Sequence, residues 1–408
     1  MQLIKLNSVE LNSTTINDLP VFKDEFGKII ILPQLWLIHL CNTGLVTRYQ
    51  RESILGGRQS YDSFEQPNDV WRMTLEPIAD QTINVYVHKV FQFLKYIEEE
   101  SRTHRIKNLS VHNTELVTTR FLNHYFNNIL PQHIKSVSSL ELNRSAIVAY
   151  FDFLSYMELI PKIESTIYRK TRSRINSTDD RQIKIRYISR EIRNRLLMSC
   201  ESMRDRLILR VGFEVGLRTE ECTGLRLTDT IAKGQKHPGI NDLINQMDDH
   251  PNLKQFKYML SGLYTKGGKS RYIYFDRDLL MSIKNYRDKE RALFIGDAIN
   301  TDCLFVRTDN GAFGKAISKH HASKTFRKVK IKTEGANPAN SYHDLRHTFA
   351  TELYHSEQID ERGYETRSEN TALIKVQQRL GHSSIKSTLI YVHLRQQLIA
   401  HEECSHDL

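Results

Sequence analysis

Apolar residues recur at intervals of three and four along much of this chain, which is the pattern of helices with one buried face. The first clear helix covers residues 82–98, and its apolar positions are Ile83, Val87, Val90, Leu94 and Ile97. A second covers residues 144–158, with Ile147, Phe151, Leu154 and Met157 on its apolar side. A third is predicted between them from Phe121, Leu122, Tyr125 and Phe126. We therefore predict a small all-helical domain over residues 70–161.

The segment before this domain, residues 1–69, has few regular patterns and is treated as an N-terminal extension. Its most apolar run, residues 29–41, is broken by Pro33 and by polar residues, so it is too short and too interrupted to span a bilayer. We interpret it as a strand that ends at Leu32 and a helix with Pro33 in its first turn. No secretory signal opens the chain, and we expect a cytoplasmic protein without membrane contact.

Residues 162–186 combine many basic side chains with few apolar ones, and we predict a basic linker between two domains. The basic residues are Lys162, Arg169, Lys170, Arg172, Arg174, Arg181, Lys184 and Arg186. In a DNA-binding protein such a segment would follow the phosphate backbone. A solvated charged segment is the other explanation of the same composition.

The remainder, residues 187–408, has a mixed pattern. A helix over residues 204–215 ends at Gly216, and residues 258–264 and 271–275 are strand-like. The two glycines between those strands favour a tight hairpin turn. We predict an α/β domain here, with helices and a small antiparallel sheet, so that the whole chain is mixed and mainly α.

Charge and cysteine content indicate what kind of binding partner and which compartment suit the protein. The 408 residues include 58 Lys and Arg against 48 Asp and Glu, which gives a net charge of +10 and an isoelectric point near 9.2. This excess favours a polyanionic partner, although an ordinary basic enzyme has the same composition. The five cysteines are scattered, odd in number and without a Cys-x-x-Cys pair. A disulfide framework or a cysteine-rich zinc site is therefore not expected, and a reducing compartment fits best.

Five short segments carry side chains suited to phosphate chemistry. They contain Arg218, Lys266, the run His343-Asp-Leu-Arg346-His347, His382 after a glycine, and Tyr391. Taken singly, each has an ordinary structural explanation. An arginine pairs with a carboxylate, a turn lysine is solvated, a histidine after glycine follows a helix end, and most tyrosines belong to a core or its rim.

A zinc site is a second interpretation of the histidine run. His343 and His347 stand at i and i+4 on one helix face, which is the spacing of a zinc pair. Arg346 shares that face, and a guanidinium next to a dication is unfavourable. Asp344 also occupies the position of the general-base glutamate in His-Glu-x-x-His enzymes. We therefore predict neither a metal nor another cofactor.

In their order along the chain, the segments resemble the tyrosine recombinase (phage integrase) family, whose catalytic domain runs Arg, Lys, His-x-x-Arg, His or Trp, and Tyr. The matching positions are Arg218, Lys266, His343, Arg346, His382 and Tyr391. Tyr391 follows His382 by nine positions, which is the usual step in the family. The resemblance covers residues 187–395 by motif and residues 70–160 by helical pattern only.

The resemblance implies a helical core-binding domain and a catalytic domain that cuts and rejoins DNA through a 3′-phosphotyrosine at Tyr391. It implies that Arg218 and Arg346 bind the phosphate, that Lys266 protonates the leaving 5′ oxygen, and that His343 and His382 assist. Glu221 and His347 are expected to support these residues. The DNA that it moves is expected to be a mobile element.

The same resemblance implies partners. We expect double-stranded DNA sites, a homo-oligomer that forms a tetramer on two sites, and association with the nucleoid when DNA is bound. The DNA contacts suggested outside the six matching positions are Arg169, Lys170, Arg172, Arg174, Lys269 and Arg271.

This chain also departs from compact members of the family. The spacings from Arg218 to Lys266 and from His343 to His382 are longer than usual. The extra residues, near 231–257 and 356–370, are predicted to be surface loops. Two alternatives share most of these features: a type IB topoisomerase-like enzyme that relaxes DNA, and a non-catalytic DNA-binding protein.

Overall fold

The computed structural model divides into two compact units, Met1–Arg181 and Gln182–Leu408. It describes residues 1–11, 14–52, 70–103, 108–178, 187–232, 234–296, 301–359, 367–382 and 388–389. Within these residues, no helix has the length and apolar character that crossing a membrane requires.

The first unit contains two antiparallel hairpins and five α-helices in its described part. Its elements are β1 (Gln2–Leu11), β2 (Thr14–Lys23), α1 (Ile31–Thr43), β3 (Leu45–Glu52), β4 (Val70–Pro77), α2 (Asp80–Arg102), α3 (Thr119–His124), α4 (Val137–Tyr156) and α5 (Arg169–Thr178). β1 pairs with β2, and β3 pairs with β4. The mixed, mainly helical fold class is thus confirmed.

The apolar faces of α2 and α4 form the centre of this unit's core, as their spacing predicts. The N-terminal elements share that core, because Trp36 of α1 is fully buried and meets Tyr150 of α4 edge to face, with ring centroids 5.7 Å apart. Gln34 joins α1 to β2, since it donates to the carbonyl of Pro20 and accepts from the amide of Phe22. Residues 1–11 and 14–52 therefore belong to the helical unit.

Three local predictions in this unit differ from the structure. The strand expected to end at Leu32 is absent, because β2 ends at Lys23 and α1, with Pro33 in its first turn, already begins at Ile31. Residues 70–77, predicted within an all-helical domain, form strand β4. Residues 169–178, predicted as linker, form helix α5, in which Ile175 is buried. Arg181, Lys184 and Arg186 lie outside the described residues.

The second unit is mainly helical with two small antiparallel hairpins in its described part. Its elements are α6 (Arg190–Met198), α7 (Met203–Phe213), β5 (Thr230–Ala232), β6 (Gln235–His237), α8 (Ile240–Asp249), β7 (Gln255–Leu260), β8 (Arg271–Asp276), α9 (Arg277–Asp288), α10 (His321–Lys332), α11 (Tyr342–Gln358) and α12 (Glu369–Leu380). Helix α11 packs between α7 and α12. Its first turns therefore stand beside the chain that follows α7.

The prediction of a surface loop over residues 231–257 is wrong. This segment contains α8, whose Ile240, Leu243, Ile244 and Met247 are buried in the core of the unit. The β7–β8 hairpin also differs from the predicted tight turn, because Leu260 and Arg271 close it around a ten-residue loop, 261–270. Residues 360–366 of the second expected insertion lie outside the described residues.

Candidate active site

Helix α11 carries three of the predicted side chains on adjacent turns. Ser341 caps the helix in a capping box with Asp344, whose carboxylate accepts from the Ser341 amide at 2.6 Å. Positions i, i+3 and i+4 of a helix share a face, so His343, Arg346 and His347 lie together. The rings of His343 and His347 are 4.4 Å apart between centroids.

Arg346 is fully buried and joins two segments of the chain. One terminal nitrogen donates to the carbonyl of Gly216, and the other donates to the carbonyl of Leu380 at 2.5 Å. Gly216 precedes Arg218 by two residues, and Leu380 precedes His382 by two. Arg346 therefore holds together the backbones that carry two other predicted site residues.

Arg218 follows a turn that requires glycine. Gly216 has a φ of 75°, and a Cβ added there would lie 2.4 Å from the Phe349 ring of α11. The Arg218 amide donates to one Glu221 oxygen at 2.7 Å, and its guanidinium donates to the other at 2.9 Å. With 23% of its side chain exposed, Arg218 lies at the border between the protein and solvent.

Glu221 is the buried acceptor of this cluster. Besides Arg218, it receives both terminal nitrogens of Arg271 at 2.7 Å each. Burial alone would raise the pKa of Glu221, but the hydrogen bonds and charge of Arg271, with the charge of Arg346, lower it to about 2. Glu221 is therefore ionised at neutral pH and counterbalances the arginines.

His382 reaches the cluster from the end of α12. Gly381 ends that helix in the left-handed conformation with a φ of 64°, and the His382 amide donates to the Gln377 carbonyl at 3.1 Å. Nδ1 of His382 lies 2.9 Å from the hydroxyl of Thr388, which is fully buried.

The three histidines are neutral at pH 7. Burial, followed by the charges of Arg346 and Arg218, lowers the pKa of His382 to about 4. Burial and the adjacent His343 lower the pKa of His347 to about 3. The pKa of His343 is lowered by desolvation and by the same two arginines, although the residue is exposed. An anion bound among these groups would raise the histidine pKa values and so oppose the effect of the arginine charges.

Lys266 lies in the exposed loop between β7 and β8, together with Lys269. The Thr265 hydroxyl donates to the Lys269 carbonyl at 2.8 Å, and the Gly262 amide donates to the Ser270 hydroxyl at 2.9 Å. Neither lysine makes an ion pair with another described residue. The structure thus places Lys266 on a surface loop rather than within the buried cluster, and Tyr391 lies outside the described residues.

Arg271 does not fit the prediction of a DNA contact, because only 8% of it is exposed and its guanidinium is bound to Glu221. Among the other suggested contacts, Arg172 pairs with Glu141 at 2.6 Å and Arg174 donates to the Asn127 carbonyl. Arg169, Lys170 and Lys269 are exposed. Sequence reasoning missed the internal partner of Arg271, and the only signal for it was the acidic Glu221 in the segment after Arg218.

The cluster is suited to a phosphodiester. Guanidinium groups bind phosphate oxygens through paired hydrogen bonds, and fixed positive groups stabilise the charge that develops on phosphorus oxygens during displacement. Neutral imidazoles accept or donate protons near neutral pH. In the described part of the chain, no three His, Cys, Asp or Glu side chains are grouped to hold a metal ion.

Comparison with known proteins agrees with this geometry. Residues 186–397 match the model of the phage integrase family. Transposase A from transposon Tn554 of Staphylococcus aureus is 27% identical over 215 residues, which are 52% of this chain and 50% of that protein. Tyrosine recombinase XerC of Bacillus subtilis is 29% identical over 205 residues, or 50% of this chain and 54% of that protein. This chain thus spans about half the length of these curated relatives.

Among solved structures, the XerH site-specific recombinase bound to a palindromic difH substrate, in its post-cleavage complex, has a TM-score of 0.51. The superposition covers 80% of each chain at 20% sequence identity. At that identity the likeness shows a shared fold.

Proposed function

This chain belongs to the phage integrase family, and from that membership we propose that it is a site-specific DNA recombinase. It cuts and rejoins DNA through a covalent 3′-phosphotyrosine, and it serves a mobile element. The observation that carries the proposal is the convergence of Arg218 and Arg346 on the buried carboxylate of Glu221, with His382 close enough for both arginines to lower its pKa.

The chemistry is a displacement at phosphorus. The phenol oxygen of Tyr391 forms a bond to phosphorus, the bond from phosphorus to the 5′ oxygen breaks, and the 5′ oxygen leaves with a proton from Lys266. His343 takes the proton of the phenol, for which its neutral form is required. Attack of a 5′ hydroxyl on the phosphotyrosine reverses these steps. Because the phosphotyrosyl bond keeps the energy of the broken bond, no nucleotide cofactor is required.

The remaining groups stabilise charge or hold others in place. Arg218 contacts the nonbridging oxygens, and His382 donates a further hydrogen bond to phosphate. Arg346, whose terminal nitrogens donate to the carbonyls of Gly216 and Leu380, stabilises the phosphate through its positive charge. Glu221 orients Arg218 through the two hydrogen bonds described above. His347 packs against the ring of His343. The arginines and Lys266 supply the positive charge that divalent metals supply in other nucleases.

The DNA backbone is gripped by basic side chains outside the cluster. Helix α10 begins beside Arg218, since the hydroxyls of Ser323 and Thr219 are 3.0 Å apart. Lys324 and Arg327 are exposed on this helix, and Lys319 is exposed just before it. Arg169 and Lys170 are exposed on α5 of the other unit. Neutralising either set should weaken binding to all sequences and flatten its salt dependence.

The active assembly is a homotetramer on two double-stranded DNA sites, associated with the nucleoid in the cell. This part of the proposal rests on the family resemblance. Native gels and light scattering of the protein with one-site and two-site duplexes test it, because a tetramer should form only when two sites are present.

The experiment for the whole proposal is covalent capture. The full chain is incubated, with and without EDTA, with a pool of nicked duplexes of randomised sequence, and protein–DNA adducts are recovered under denaturing conditions and sequenced. We expect adducts that survive EDTA and converge on one sequence. That sequence, placed twice on a plasmid, should recombine. Adducts without sequence preference, combined with relaxation of any supercoiled plasmid, would favour a topoisomerase. Binding without adducts would overturn the proposed activity.

A further inference from the structure

Arg271 is a buried arginine whose three donor nitrogens all face the candidate active site. Its terminal nitrogens donate to the two carboxylate oxygens of Glu221 at 2.7 Å each, and its Nε donates to the Arg379 carbonyl at 3.1 Å. Glu221 is the residue that holds Arg218, and Arg379 stands three positions before His382. Arg271 thus contacts both segments that carry these candidate groups.

The place of Arg271 in the chain adds a third connection. It is the first residue of β8 and closes the hairpin loop that carries Lys266. Its Cδ lies against Gly381, where an added Cβ would approach it to 2.8 Å. The close approach of the arginine stem to the end of α12 therefore depends on glycine at position 381.

A second buried arginine of the same unit has different hydrogen-bond partners, so burial alone does not explain the contacts of Arg271. Arg291 is equally buried, at 7% exposure, but among the described residues its guanidinium donates to main-chain carbonyls alone, those of Thr301, Cys303 and Leu304. Arg271 instead binds a carboxylate that already serves Arg218. A bidentate guanidinium fixes the plane of that carboxylate, which a lysine in its place would not do.

We propose that Arg271 is a positioning residue, which acts through Glu221 on Arg218 and through the end of α12 on His382. Its role in catalysis rests on the proposed recombinase function, whereas its effect on the two side chains does not. Arg271 touches neither DNA nor the nucleophile in this account. It fixes the distance between two phosphate-binding groups that are far apart in sequence.

The first test needs no DNA. Proteins labelled with ¹⁵N at arginine and histidine side chains are prepared as wild type, Arg271→Gln, Arg271→Lys and Arg291→Gln. We expect the Arg218 Nε–H and His382 ring signals to shift in both Arg271 variants and to stay in place in Arg291→Gln. Unchanged Arg218 and His382 signals in a folded Arg271 variant would overturn the proposal. Arg271→Lys keeps the charge, so it provides the test if Arg271→Gln does not fold.

The second test uses a duplex recovered by covalent capture with the wild type, below the unfolding temperature of every variant. Misplacement of binding groups by about 1 Å costs about 100-fold in rate, so Arg271→Gln should form adducts about 100-fold more slowly. Its noncovalent affinity for the duplex should stay within about threefold of the wild-type affinity. For Arg291→Gln, the rate of adduct formation and the affinity should both stay within about threefold of the wild type. Equal losses of rate in the two variants would mean that Arg271 only stabilises the fold. If the wild type forms no adduct, the proposed function fails, and the side-chain signals alone decide the role of Arg271.

Discussion

Arg271 and Glu221 form a doubly hydrogen-bonded ion pair in which both distances are 2.7 Å and both side chains are almost completely buried. Removing two charges from water is costly, so such a pair persists only when its geometry is good and the remaining lone pairs are satisfied. Arg218 satisfies them here through its amide and its guanidinium. The arginines of the candidate active site are therefore held in place by one buried carboxylate, that of Glu221.

Loss of that carboxylate charge should destabilise the second unit. Breaking a buried ion pair from one side costs about 3–5 kcal/mol, because the partner charge is left uncompensated. We expect Glu221→Gln to lower the free energy of unfolding by about this amount in urea titrations followed by circular dichroism. Glu201→Gln is the control, since Glu201 pairs with Lys328 and Lys332 on the surface. Equal, small effects of both substitutions would contradict the buried ion pair.

Two helix-ending glycines offer a matched comparison. Gly44 and Gly381 both adopt the left-handed conformation, with φ of 63° and 64°, but an added Cβ meets nothing within 4 Å at Gly44 and meets Arg271 at Gly381. Gly44→Ala should cost about 1 kcal/mol in unfolding free energy from backbone strain. Gly381→Ala should cost about 1–3 kcal/mol more, because it also displaces the Arg271 stem. Similar losses at both positions, measured in urea, would mean that Arg271 moves aside freely.

The parts of the fold that the sequence predicts are those with strong local periodicity. Helices α2 and α4 carry one apolar face each, and both were predicted, although α4 begins at Val137, seven residues before its predicted start. Strand β4 does alternate, with Trp71, Met73 and Leu75 separated by polar residues, but this short run was assigned to the helical domain that follows it. Helix α8 does have apolar residues at helical spacing, but its position in a long polar segment concealed them.

The candidate site shows a similar division. The order of charged and aromatic residues along the chain predicts which side chains matter, because the motif positions are local. The partner of Arg271 was not predictable, since Glu221 is 50 residues away and the pairing depends on how β8 packs in the finished fold. A basic residue next to a basic hairpin favours a DNA contact by composition alone. Burial, which decides against it, is a property of the fold.

The lowered histidine pKa values predict a definite pH dependence. His382 and His347 have folded pKa values of about 4 and about 3, below the ordinary value of 6.5. The unfolded chain therefore binds more protons in this range, so their contribution to stability is complete above pH 6.5 and is lost as pH falls through about 4 and 3. Urea titrations of the DNA-free protein should show this loss, and His382→Asn should reduce it. A stability that is independent of pH between 6.5 and 4 would contradict it.

The choice between Lys266 and Lys269 as proton donor can be tested with a substrate whose 5′ bridging oxygen is replaced by sulfur. A thiolate leaves without protonation, so this substrate should rescue the variant that lacks the donor. We expect rescue of Lys266→Ala and little change for wild type or Lys269→Ala, measured as the rate of adduct formation. Rescue of Lys269→Ala instead would transfer the role to that residue.

Peptide mapping of the captured adduct shows whether Tyr391 is the residue that becomes joined to DNA. The adduct is digested with nuclease and protease, and the residue that retains a nucleotide is identified by mass spectrometry. We expect a phosphodiester on Tyr391 in the wild type, and no adduct for Tyr391→Phe although that variant still binds the duplex. A nucleotide on any other residue, or an adduct that persists in Tyr391→Phe, would contradict it.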